Sequence, residues 1–484
     1  MSGLLTGAVV SAVLVLPCFW QSRIQAGDLG SHAYNAWLAN LIERGQVPGL
    51  YIAHQWTNTL FDLFLAFLLP RLGLEAAQSI AVSVAVLVLA WGAFSLVCAA
   101  AHRQPWFLMP VIAMLAYGWV FHMGFFNYYL SVGLSLGAIG LCWQPSRARW
   151  IGAAALLAIA WVAHAVPVAW AVFAIAYLAA AQRLRPRYRL LLTATALSFL
   201  AGACLYLSTH YQVQWSAAQN FAITGIDQLV VFGWKYFLVA AGALIIGTLL
   251  FIRLVDAQGA RTLLGIPLHL TICAAAAAFL IPERIVLPGE SQALGFIAER
   301  WSLIVALSLC VLLGRVKAQR WHLIATTTVC ALFFAFLFID ERGLNQEEDS
   351  MEAAVSMLPP GHRVVAAPVS SHDRVASHLH MVDRVCIGRC FSYANYEPPS
   401  HHFRIRVSGR NPVVAENYGD SWAMQSGIYR VRETDLPLIQ LSRCGTNGGF
   451  CIAELAAGAL SGDQSLGRNS SNKPRFQTST AAYR

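Results

Sequence analysis

The segment AQSIAVSVAVLVLAWGAFSLVCAAA, residues 77–101, decides the fold class, because it carries no charged side chain over its whole length. About 20 consecutive apolar residues are enough for a helix to cross the hydrocarbon core of a membrane. The rest of the chain has the same character, since 57% of its 484 residues are apolar and only 12% are charged. Soluble domains are about one-quarter charged. The sequence therefore predicts an α-helical protein that crosses a membrane many times.

Ten further apolar segments are long enough to cross, or nearly to cross, a membrane. They lie at 3–20, 106–121, 126–143, 150–163, 166–182, 190–208, 230–252, 262–281, 300–314 and 322–338. Together with 77–101 they predict about 11 transmembrane helices. A shorter run at 57–73 contains Asp62 and, near its end, Pro70. This run could be a crossing, a re-entrant helix or a helix that lies in the membrane interface.

The basic residues of the loops are distributed unevenly if the run at 57–73 does not cross. One set of loops then holds Arg103, Arg147, Arg149, Arg183, Arg185, Arg187, Arg189, Arg253, Arg261, Arg315, Lys317 and Arg320. The opposite set holds only Arg23, Arg44, Arg71, Arg284 and Arg300. Because basic residues in short loops favour the cytoplasmic side, we expect a cytoplasmic N-terminus and an outer loop that starts at Gln21. The same asymmetry favours 57–73 as a half-buried or interfacial element.

A polar C-terminal region begins after Ile339. The transmembrane domain therefore spans 1–339 and includes the outer loop at 21–57. Residues 340–457 alternate short apolar stretches with turn residues, which predicts a small mixed α/β domain on the extracytoplasmic side. Residues 458–484 are rich in serine, asparagine, glycine and glutamine, a composition typical of a disordered tail.

Four cysteines of the C-terminal region, Cys386, Cys390, Cys444 and Cys451, have spacings unlike those of zinc sites. An even number of cysteines in an exported domain favours disulfides. Reduced structural thiols and metal binding are the alternatives, and the sequence does not determine the pairing. The other seven cysteines lie in or beside apolar segments, where cysteine behaves as a small apolar residue.

The outer loop contains the stretch AGDLGSHAYNAW at 26–37, which carries an acid and a histidine. Apolar residues then recur with a helical period at Ala33, Trp37, Leu38, Leu41 and Ile42. This period predicts an amphipathic helix in the membrane interface, which Ser31 can cap. Asp28 precedes the helix and His32 lies near its first turn. Asp28 could simply cap the helix N-terminus, where an acid is favourable, or Asp28 and His32 could be catalytic.

The layout resembles the GT-C class of integral-membrane glycosyltransferases: a first helix, an outer loop that opens with an acid and continues into an amphipathic helix, many further spans and an exported C-terminal domain. The segment at 49–78 looks like the next element of that class. The segment HMGFFNYYLSVGLSL at 122–136 resembles a Gly-Phe-x-Asn-Tyr stretch that recurs in bacterial membrane proteins of this type. The resemblance covers the chain to about residue 140 and the general layout.

The resemblance implies a function in the bacterial inner membrane. Members of the class take sugars from polyprenyl-phosphate donors, so a sugar, most simply a hexose, would pass to an extracytoplasmic lipid, glycan or protein acceptor. Asp28 matches the general base of the class. The chain has one acid after the first helix instead of an acidic pair, and it has no WWD-like signature. These departures disfavour a metal-dependent oligosaccharyltransferase, so we predict no metal ligands, although a divalent metal is the one conceivable cofactor.

Transfer from a lipid phosphate needs a base for the acceptor hydroxyl and cations for the charge that develops on the phosphate. His32 could assist Asp28 in catalysis. The predicted substrate-binding residues are His54, Arg284, Arg300, Lys235, His122 and Asn127. Each has an ordinary alternative, since interfacial histidines are usually hydrogen-bonded and long basic side chains extend to the membrane surface.

Two other function classes stay open. A secondary transporter would need ionisable residues near the membrane midplane and repeated halves, whereas the apolar segments here are nearly free of charge and show no convincing repeat. A non-catalytic membrane partner in envelope polysaccharide assembly would differ from the enzyme only in not requiring Asp28. The sequence shows no nucleotide-binding or nucleic-acid-binding motif, so the expected partners are membrane lipid, the lipid-linked donor and the acceptor, and not nucleic acid.

Overall fold

The computed structural model describes residues 2–286, 288, 293–317, 319–368, 374–444 and 449–462. The predicted tail at 458–484 therefore lies mostly outside the described residues. The chain divides into two compact units. Unit 1 comprises Met1–Ala36, His54–Arg342 and His372–Ser377, and unit 2 comprises Trp37–Ala53, Gly343–Ser371 and His378–Arg484. Each unit is described by itself.

Unit 1 is built mainly from helices. They are α1 (Ser2–Val15), the first part of α2 (Leu29–Glu43), α3 (Leu60–Leu72), α4 (Leu74–Ala101), α5 (Met109–Ala116), α6 (Trp119–His122), α7 (Phe126–Cys142), α8 (Arg147–Ala163), α9 (Ala165–Arg183), α10 (Tyr188–His210), α11 (Gln219–Ala222), α12 (Tyr236–Gln258), α13 (Ile266–Leu280), α14 (Ile297–Leu313) and the first part of α15 (Arg320–Val355). Short 3₁₀ turns occur at Leu16–Cys18, Trp106–Leu108, Ile226–Leu229 and Gly259–Arg261. Two short strands, β2 (Gln212–Gln214) and β3 (Arg284–Val286), pair antiparallel.

Among the residues that the structure describes, five helices are long and apolar enough to cross a membrane by length and composition. They are Leu74–Ala101, Ala165–Arg183, Pro186–His210, Tyr236–Arg261 and Arg320–Val355. Shorter apolar helices occupy Leu4–Cys18, Trp106–His122, Phe126–Cys142 and Ile266–Leu280. The structure is therefore mostly helical and compatible with a membrane protein, and each of the eleven predicted apolar segments contains helix.

The apolar segment at 106–121 is divided into a 3₁₀ turn and two short helices. The break falls at Gly118, whose extended backbone separates α5 from α6. A Cβ atom at this position would lie 2.8 Å from the carbonyl oxygen of Gln228, so the two backbones are in close contact. The sequence predicts one helix here because hydrophobicity alone does not reveal such a contact.

Glycines bring α4 and α7 together along the centre of unit 1. A Cβ atom at Gly133 of α7 would lie 2.7 Å from the Cα atom of Leu89 in α4. Seven residues further along, a Cβ atom at Gly140 would lie 3.2 Å from the Cα atom of Leu96. The residue numbers of the contacting positions increase together along both helices, so the two helices run parallel. Small residues at such positions allow the close backbone approach that is typical of helix pairs in membranes.

Loop contacts show which helix ends lie together in unit 1. Arg103 Nη2 donates to the carbonyl oxygen of Gly314 over 3.0 Å. The side chain of Gln144 lies 2.9 Å from the ring of His102. The loops that follow α4, α7 and α14 therefore meet at one end of this unit.

Helix α3 begins at the opposite end of unit 1. The backbone nitrogen of Phe61 donates to Asn127 Oδ1 over 2.8 Å, and that of Thr59 donates to the carbonyl oxygen of Val162 over 3.2 Å. These contacts place the start of α3 beside the start of α7 and the end of α8. Because α4 runs parallel to α7, it starts at this end too, directly after α3.

The helix at 29–43 differs from the sequence-based expectation. It begins at Leu29, two residues before Ser31, and it is buried around most of its first turns instead of on one face: Tyr34 is fully buried and Asn35 is 6% exposed. The amide of Asn35 donates to the hydroxyl of Ser31 over 3.1 Å and to its carbonyl over 3.0 Å. Because this polar pair satisfies itself within the helix, its polar side can be buried. The prediction of a single apolar face is therefore wrong for the first half of this helix.

The described part of unit 2 contains the rest of α2 and α15, three short helices and six strands. The helices are α16 (Met381–Cys386), α17 (Glu397–Ser400) and α18 (Tyr418–Gln425), with a 3₁₀ turn at Glu433–Asp435. The strands are β1 (Leu50–Ile52), β4 (Arg363–Ala366), β5 (Phe391–Ser392), β6 (Ile405–Val407), β7 (Leu438–Cys444) and β8 (Gly449–Glu454).

The sheet of unit 2 has four strands in the order β5-β4-β7-β8. Strand β4 pairs in parallel with β5 and β7, whereas β8 pairs antiparallel with β7. Buried apolar residues such as Val365, Met424 and Leu438 form its core. A separate strand pair joins β1 to β6. The structure thus contains the small sheet region with helices that the sequence predicts in the C-terminal part of the chain.

Both cysteine pairs of unit 2 are disulfide-bonded in the structure. Cys386 is bonded to Cys390, and Cys444 is bonded to Cys451. The disulfide interpretation of these four cysteines is confirmed, and the structure adds the pairing that the sequence leaves open.

Candidate functional site

A sharp turn at residues 122–128, between α6 and α7, forms the centre of the candidate site. Gly124 adopts a left-handed conformation with φ of 83°. A Cβ atom at this residue would lie 2.5 Å from the backbone nitrogen of Asp28, so only glycine allows the two segments to approach. Two hydrogen bonds fix the approach: Gly27 N donates to the carbonyl of His122 over 2.7 Å, and Asp28 N donates to that of Met123 over 3.0 Å.

Asp28 occupies the N-cap position of α2. Its carbonyl accepts the first intrahelical hydrogen bond, from His32 N over 2.9 Å. The capping interpretation of Asp28 is therefore compatible with the structure. His32 lies one turn further along the same helix.

His32 is held by a carboxylate that the sequence analysis did not assign to the site. Its Nδ1 atom lies 2.6 Å from Asp62 Oδ1 in the first turn of α3. Asn127 Nδ2 donates to the other oxygen, Asp62 Oδ2, over 2.8 Å. The side chains of His32 and Asp62 are 13% and 21% exposed, so the pair is accessible without being fully hydrated. A carboxylate on Nδ1 fixes the ring orientation and makes Nε2 the proton-accepting nitrogen.

Asn127 connects this pair to the turn. Its Oδ1 atom accepts from the backbone nitrogen of Phe61 while its Nδ2 atom donates to Asp62, so both halves of the amide have a partner in α3. The ring of Phe61 also stacks on Phe126, with centroids 4.6 Å apart. The predicted binding residue Asn127 therefore positions Asp62, and through Asp62 it positions His32.

Arg300 approaches the same turn from α14. Its guanidinium carbon lies 4.8 Å from the ring centroid of Phe125 and 5.9 Å from that of Tyr128. The hydroxyl of Tyr128 donates to the carbonyl of Arg300 over 2.9 Å, and Arg300 itself donates to the carbonyl of Gly295. Asn127 and Tyr128 are neighbours in the first turn of α7. The side chain of Asn127 contacts the Asp62–His32 pair, and that of Tyr128 contacts Arg300.

His164, in the short connection between α8 and α9, lies next to this cation. Its Nδ1 atom accepts from the backbone nitrogen of Val166 over 3.2 Å, so it caps α9. Its ring centroid is 5.3 Å from that of Tyr128. Burial lowers the pKa of His164 to about 3, and the positive charge of Arg300 adds to the effect. His164 is therefore neutral at physiological pH.

Two of the predicted binding residues, His122 and Lys235, contact other side chains or backbone groups of the protein. His122 is fully buried, with Nδ1 2.9 Å from the carbonyl of Gln25 and Nε2 3.9 Å from Glu341 Oε1. This arrangement supports the turn and does not present the imidazole to a substrate. Lys235 forms an ion pair with Asp340.

The remaining two predicted binding residues, His54 and Arg284, lie on the surface. His54 is exposed, and its ring packs edge-on against Trp56 with centroids 4.4 Å apart. Arg284 is exposed in β3, where it pairs with Gln214 of β2. Its side chain passes along Gly295, the residue whose carbonyl accepts from Arg300.

Unit 1 contains a second charge cluster, around Asp227, that the sequence did not predict. Asp227 Oδ2 lies 3.1 Å from Arg374 Nη2 and accepts from the hydroxyl of Ser302 over 2.9 Å. Burial raises the pKa of Asp227, while Arg374 acts in the opposite direction. The guanidinium carbon of Arg374 also lies 5.1 Å from the ring centroid of Trp119.

The signals for the missed residues differ. Asp62 is conspicuous in the sequence, because it is an acid within an otherwise apolar run. Arg374 comes from the polar C-terminal region and carries no local signal that would connect it to a helical unit.

In the part of the chain that the structure describes, no group of three or more histidine, cysteine, aspartate or glutamate side chains is placed to hold a metal ion.

No protein-family model, curated protein or solved structure matches this chain. The arrangement of its own residues is therefore the basis for the function proposed below.

Proposed function

We propose that this protein is a membrane glycosyltransferase that moves a sugar from a polyprenyl-phosphate donor to an extracytoplasmic acceptor. One observation carries the proposal: the turn at 122–128 joins an acid–imidazole group on one side to an arginine on the other. Sugar transfer from a lipid phosphate requires these two chemical functions close together, a base for the acceptor and a cation for the leaving phosphate.

Asp28 and His32 supply the base in this proposal. A carboxylate at the start of α2 accepts the proton of the acceptor hydroxyl as the oxygen attacks the anomeric carbon. His32, oriented by the 2.6 Å contact with Asp62, lies one helical turn away and can relay or share that proton. Positioned acid–base groups of this kind typically contribute about 10²–10⁴-fold to a rate.

Arg300 supplies the cation. As the bond between the sugar and the phosphate breaks, negative charge grows on the phosphate oxygens, and a guanidinium can donate two hydrogen bonds to them. The rings of Phe125 and Tyr128 hold this guanidinium in place. Because His164 is neutral, it does not compete with Arg300 for the anion.

We further propose that the chain crosses the membrane of a bacterial cell eleven times, with the site and the C-terminal domain on the extracytoplasmic side. The contacts at the two ends of unit 1 support this topology. Residues of the basic-rich loops, such as Arg103 and Gln144, meet at one end, and those of the basic-poor loops, such as Asp28 and Arg300, meet at the other. Helix α3 starts, and α4 departs, at this second end, which supports a helix at 57–73 that does not cross.

The experiment is sugar transfer by the full chain in proteoliposomes with a polyprenyl-phosphate-linked sugar. Asp28→Asn is the decisive variant, because asparagine caps a helix about as well as aspartate but cannot act as a base. A catalytic Asp28 predicts a loss of transfer of at least about 100-fold, whereas a capping Asp28 predicts nearly unchanged transfer.

Two further variants complete the comparison. Asp62→Asn should lower transfer by about 10-fold or more, since it weakens the hold on His32. Glu43→Gln changes an exposed acid at the other end of the same helix and should have no effect. Wild-type protein that transfers no sugar from any polyprenyl-phosphate donor would contradict the enzyme proposal and favour a transporter or a non-catalytic partner.

A further inference from the structure

A groove lies between the C-terminal ends of α10 and α13 in unit 1, away from the turn at 122–128 in the sequence. Its volume is about 460 Å³. Leu205 of α10, Trp215 and the C-terminal residues Phe279 and Leu280 of α13 form its apolar walls. Trp215 is fixed by a hydrogen bond from its indole nitrogen to the carbonyl of Leu280 over 3.1 Å. The wall between the two helices is therefore held in place by the protein itself.

The surroundings of this groove are suited to hydrocarbon. Only 11% of the apolar window in Pro186–His210 is buried inside the protein. Phe199 is 76% exposed on the same helix. If the helix crosses a membrane, as proposed, these surfaces face lipid chains, and an open apolar groove between them is filled by such a chain.

Polar residues also line the groove. Ser208, Ser216 and Asn220 place hydroxyl and amide groups on its lining. Ser216 Oγ accepts from the backbone nitrogen of Ala218 over 3.1 Å, so its own hydrogen can point towards an acceptor. Ester and glycerol oxygens of a phospholipid are acceptors of this kind. A prenyl chain carries no such atoms between its hydrocarbon and its phosphate.

A strand beside the groove carries a cation. Arg284 of β3 is paired with Gln214 of β2, and the next residue of that segment, Trp215, lines the groove. The side chain of Arg284 passes along Gly295.

We infer that this groove binds an anionic phospholipid, with one acyl chain between α10 and α13 and the phosphate at Arg284. The size of the groove fits, since it lies in the lower part of the roughly 300–1,000 Å³ range of small-molecule sites and has room for one hydrocarbon chain. The inference rests on the membrane placement within the proposed function and does not depend on sugar transfer. It also gives Arg284 a role different from the sugar-donor contact that the sequence suggests.

The test is native mass spectrometry of the delipidated full chain in detergent, titrated with phosphatidylglycerol, phosphatidylcholine or undecaprenyl phosphate. Phosphatidylglycerol should bind at least about 10-fold more tightly than phosphatidylcholine, since the two differ in net charge. Arg284→Gln should remove this preference. Arg71→Gln, which changes another exposed arginine of the basic-poor loops, should keep it. Ser208→Phe should fill the groove and reduce binding of both phospholipids.

Two results would overturn the inference. One is an unchanged preference for phosphatidylglycerol in Arg284→Gln together with unchanged binding in Ser208→Phe. The other is displacement of phosphatidylglycerol by an equal concentration of undecaprenyl phosphate, which would assign the groove to the carrier lipid because Arg284 also passes along Gly295 beside Arg300. Thermal unfolding of each variant shows whether it is folded. No sugar donor is present, so these outcomes are independent of the transfer assay.

Discussion

Gly124 is the residue on which the geometry of the candidate site depends. Its positive φ and the 2.5 Å approach of Asp28 exclude any side chain, so the start of α2 can reach the turn only if this position is glycine. The sequence shows Gly124 within a resemblance motif, but the partner that it accommodates is 96 residues away. The local sequence pattern predicts the turn, but only the three-dimensional structure shows that the turn contacts Asp28.

His164 gives a prediction about acid stability. Its pKa is about 3 in the folded protein and about 6.5 in an unfolded chain. Between these values the unfolded chain binds a proton that the folded chain does not. Stability from this group is therefore complete above pH 6.5 and is lost as the pH falls towards 3, by up to about 1.4 kcal/mol per pH unit.

The variant His164→Asn separates this effect from other acid-sensitive groups. Asparagine can still cap α9 but does not titrate in this range. We expect the thermal unfolding midpoint, measured in detergent from pH 8 to 4.5, to fall less steeply in the variant than in the wild type. Parallel curves for the two proteins would show that the pKa of His164 is the same in the folded and unfolded states.

At the scale of elements, the parallel pair α4 and α7 carries the site, because α7 begins at the turn and α4 supports it along its length. Gly92 of α4 faces Gly133 of α7 so closely that a Cβ atom at Gly92 would overlap the carbonyl oxygen of Gly133. Gly202 of α10 is also helical, but nothing lies within 4 Å of its Cβ position. The two glycines therefore differ in packing and not in secondary structure.

Alanine at these two positions should have opposite effects. Gly92→Ala overpacks the pair and should lower the free energy of unfolding by about 1–3 kcal/mol. Gly202→Ala should be neutral or stabilising by up to about 1 kcal/mol, since alanine is the better helix former. Denaturation in mixed detergent micelles measures both. A loss of stability in Gly202→Ala equal to that in Gly92→Ala would contradict the packing explanation.

The elements were predictable from the sequence to different degrees. All eleven apolar segments contain helix because the requirement for apolar length is local and strong. The start of α2 was predicted as an interfacial helix, yet Tyr34 and Leu38 are both fully buried. Amphipathicity shows that a face is apolar, but it does not show how many neighbours surround the helix.

The candidate site was only partly predictable. Asp28, His32 and Asn127 were identified because polar groups beside apolar spans are conspicuous. Asp62 connects them, and it lies 30 residues from His32 and 65 residues from Asn127 in the sequence. No local pattern predicts contacts between residues so far apart in the chain.

At the scale of the whole molecule, the proposed topology places Thr434 of unit 2 outside the cell and Arg185, between α9 and α10, inside it. Both residues are exposed in the structure. A cysteine at position 434 should react with an impermeant maleimide in intact cells. A cysteine at position 185 should react only after lysis, and the wild-type chain gives the background from its native thiols. The reverse pattern would invert the topology and move the site to the cytoplasmic face.

The ion pair between Asp227 and Arg374 has a consequence for biosynthesis. Unit 1 includes Arg374, although its last helix leaves the unit at Arg342. A ribosome that adds about 5–20 residues per second needs a few more seconds to pass from Arg342 to Arg374. During that interval Asp227 must stay hydrated or protonated, because its cation has not yet been synthesised. A chain truncated after Arg342 would remain in that state permanently, so the helical unit is complete only when translation has proceeded well into the C-terminal region.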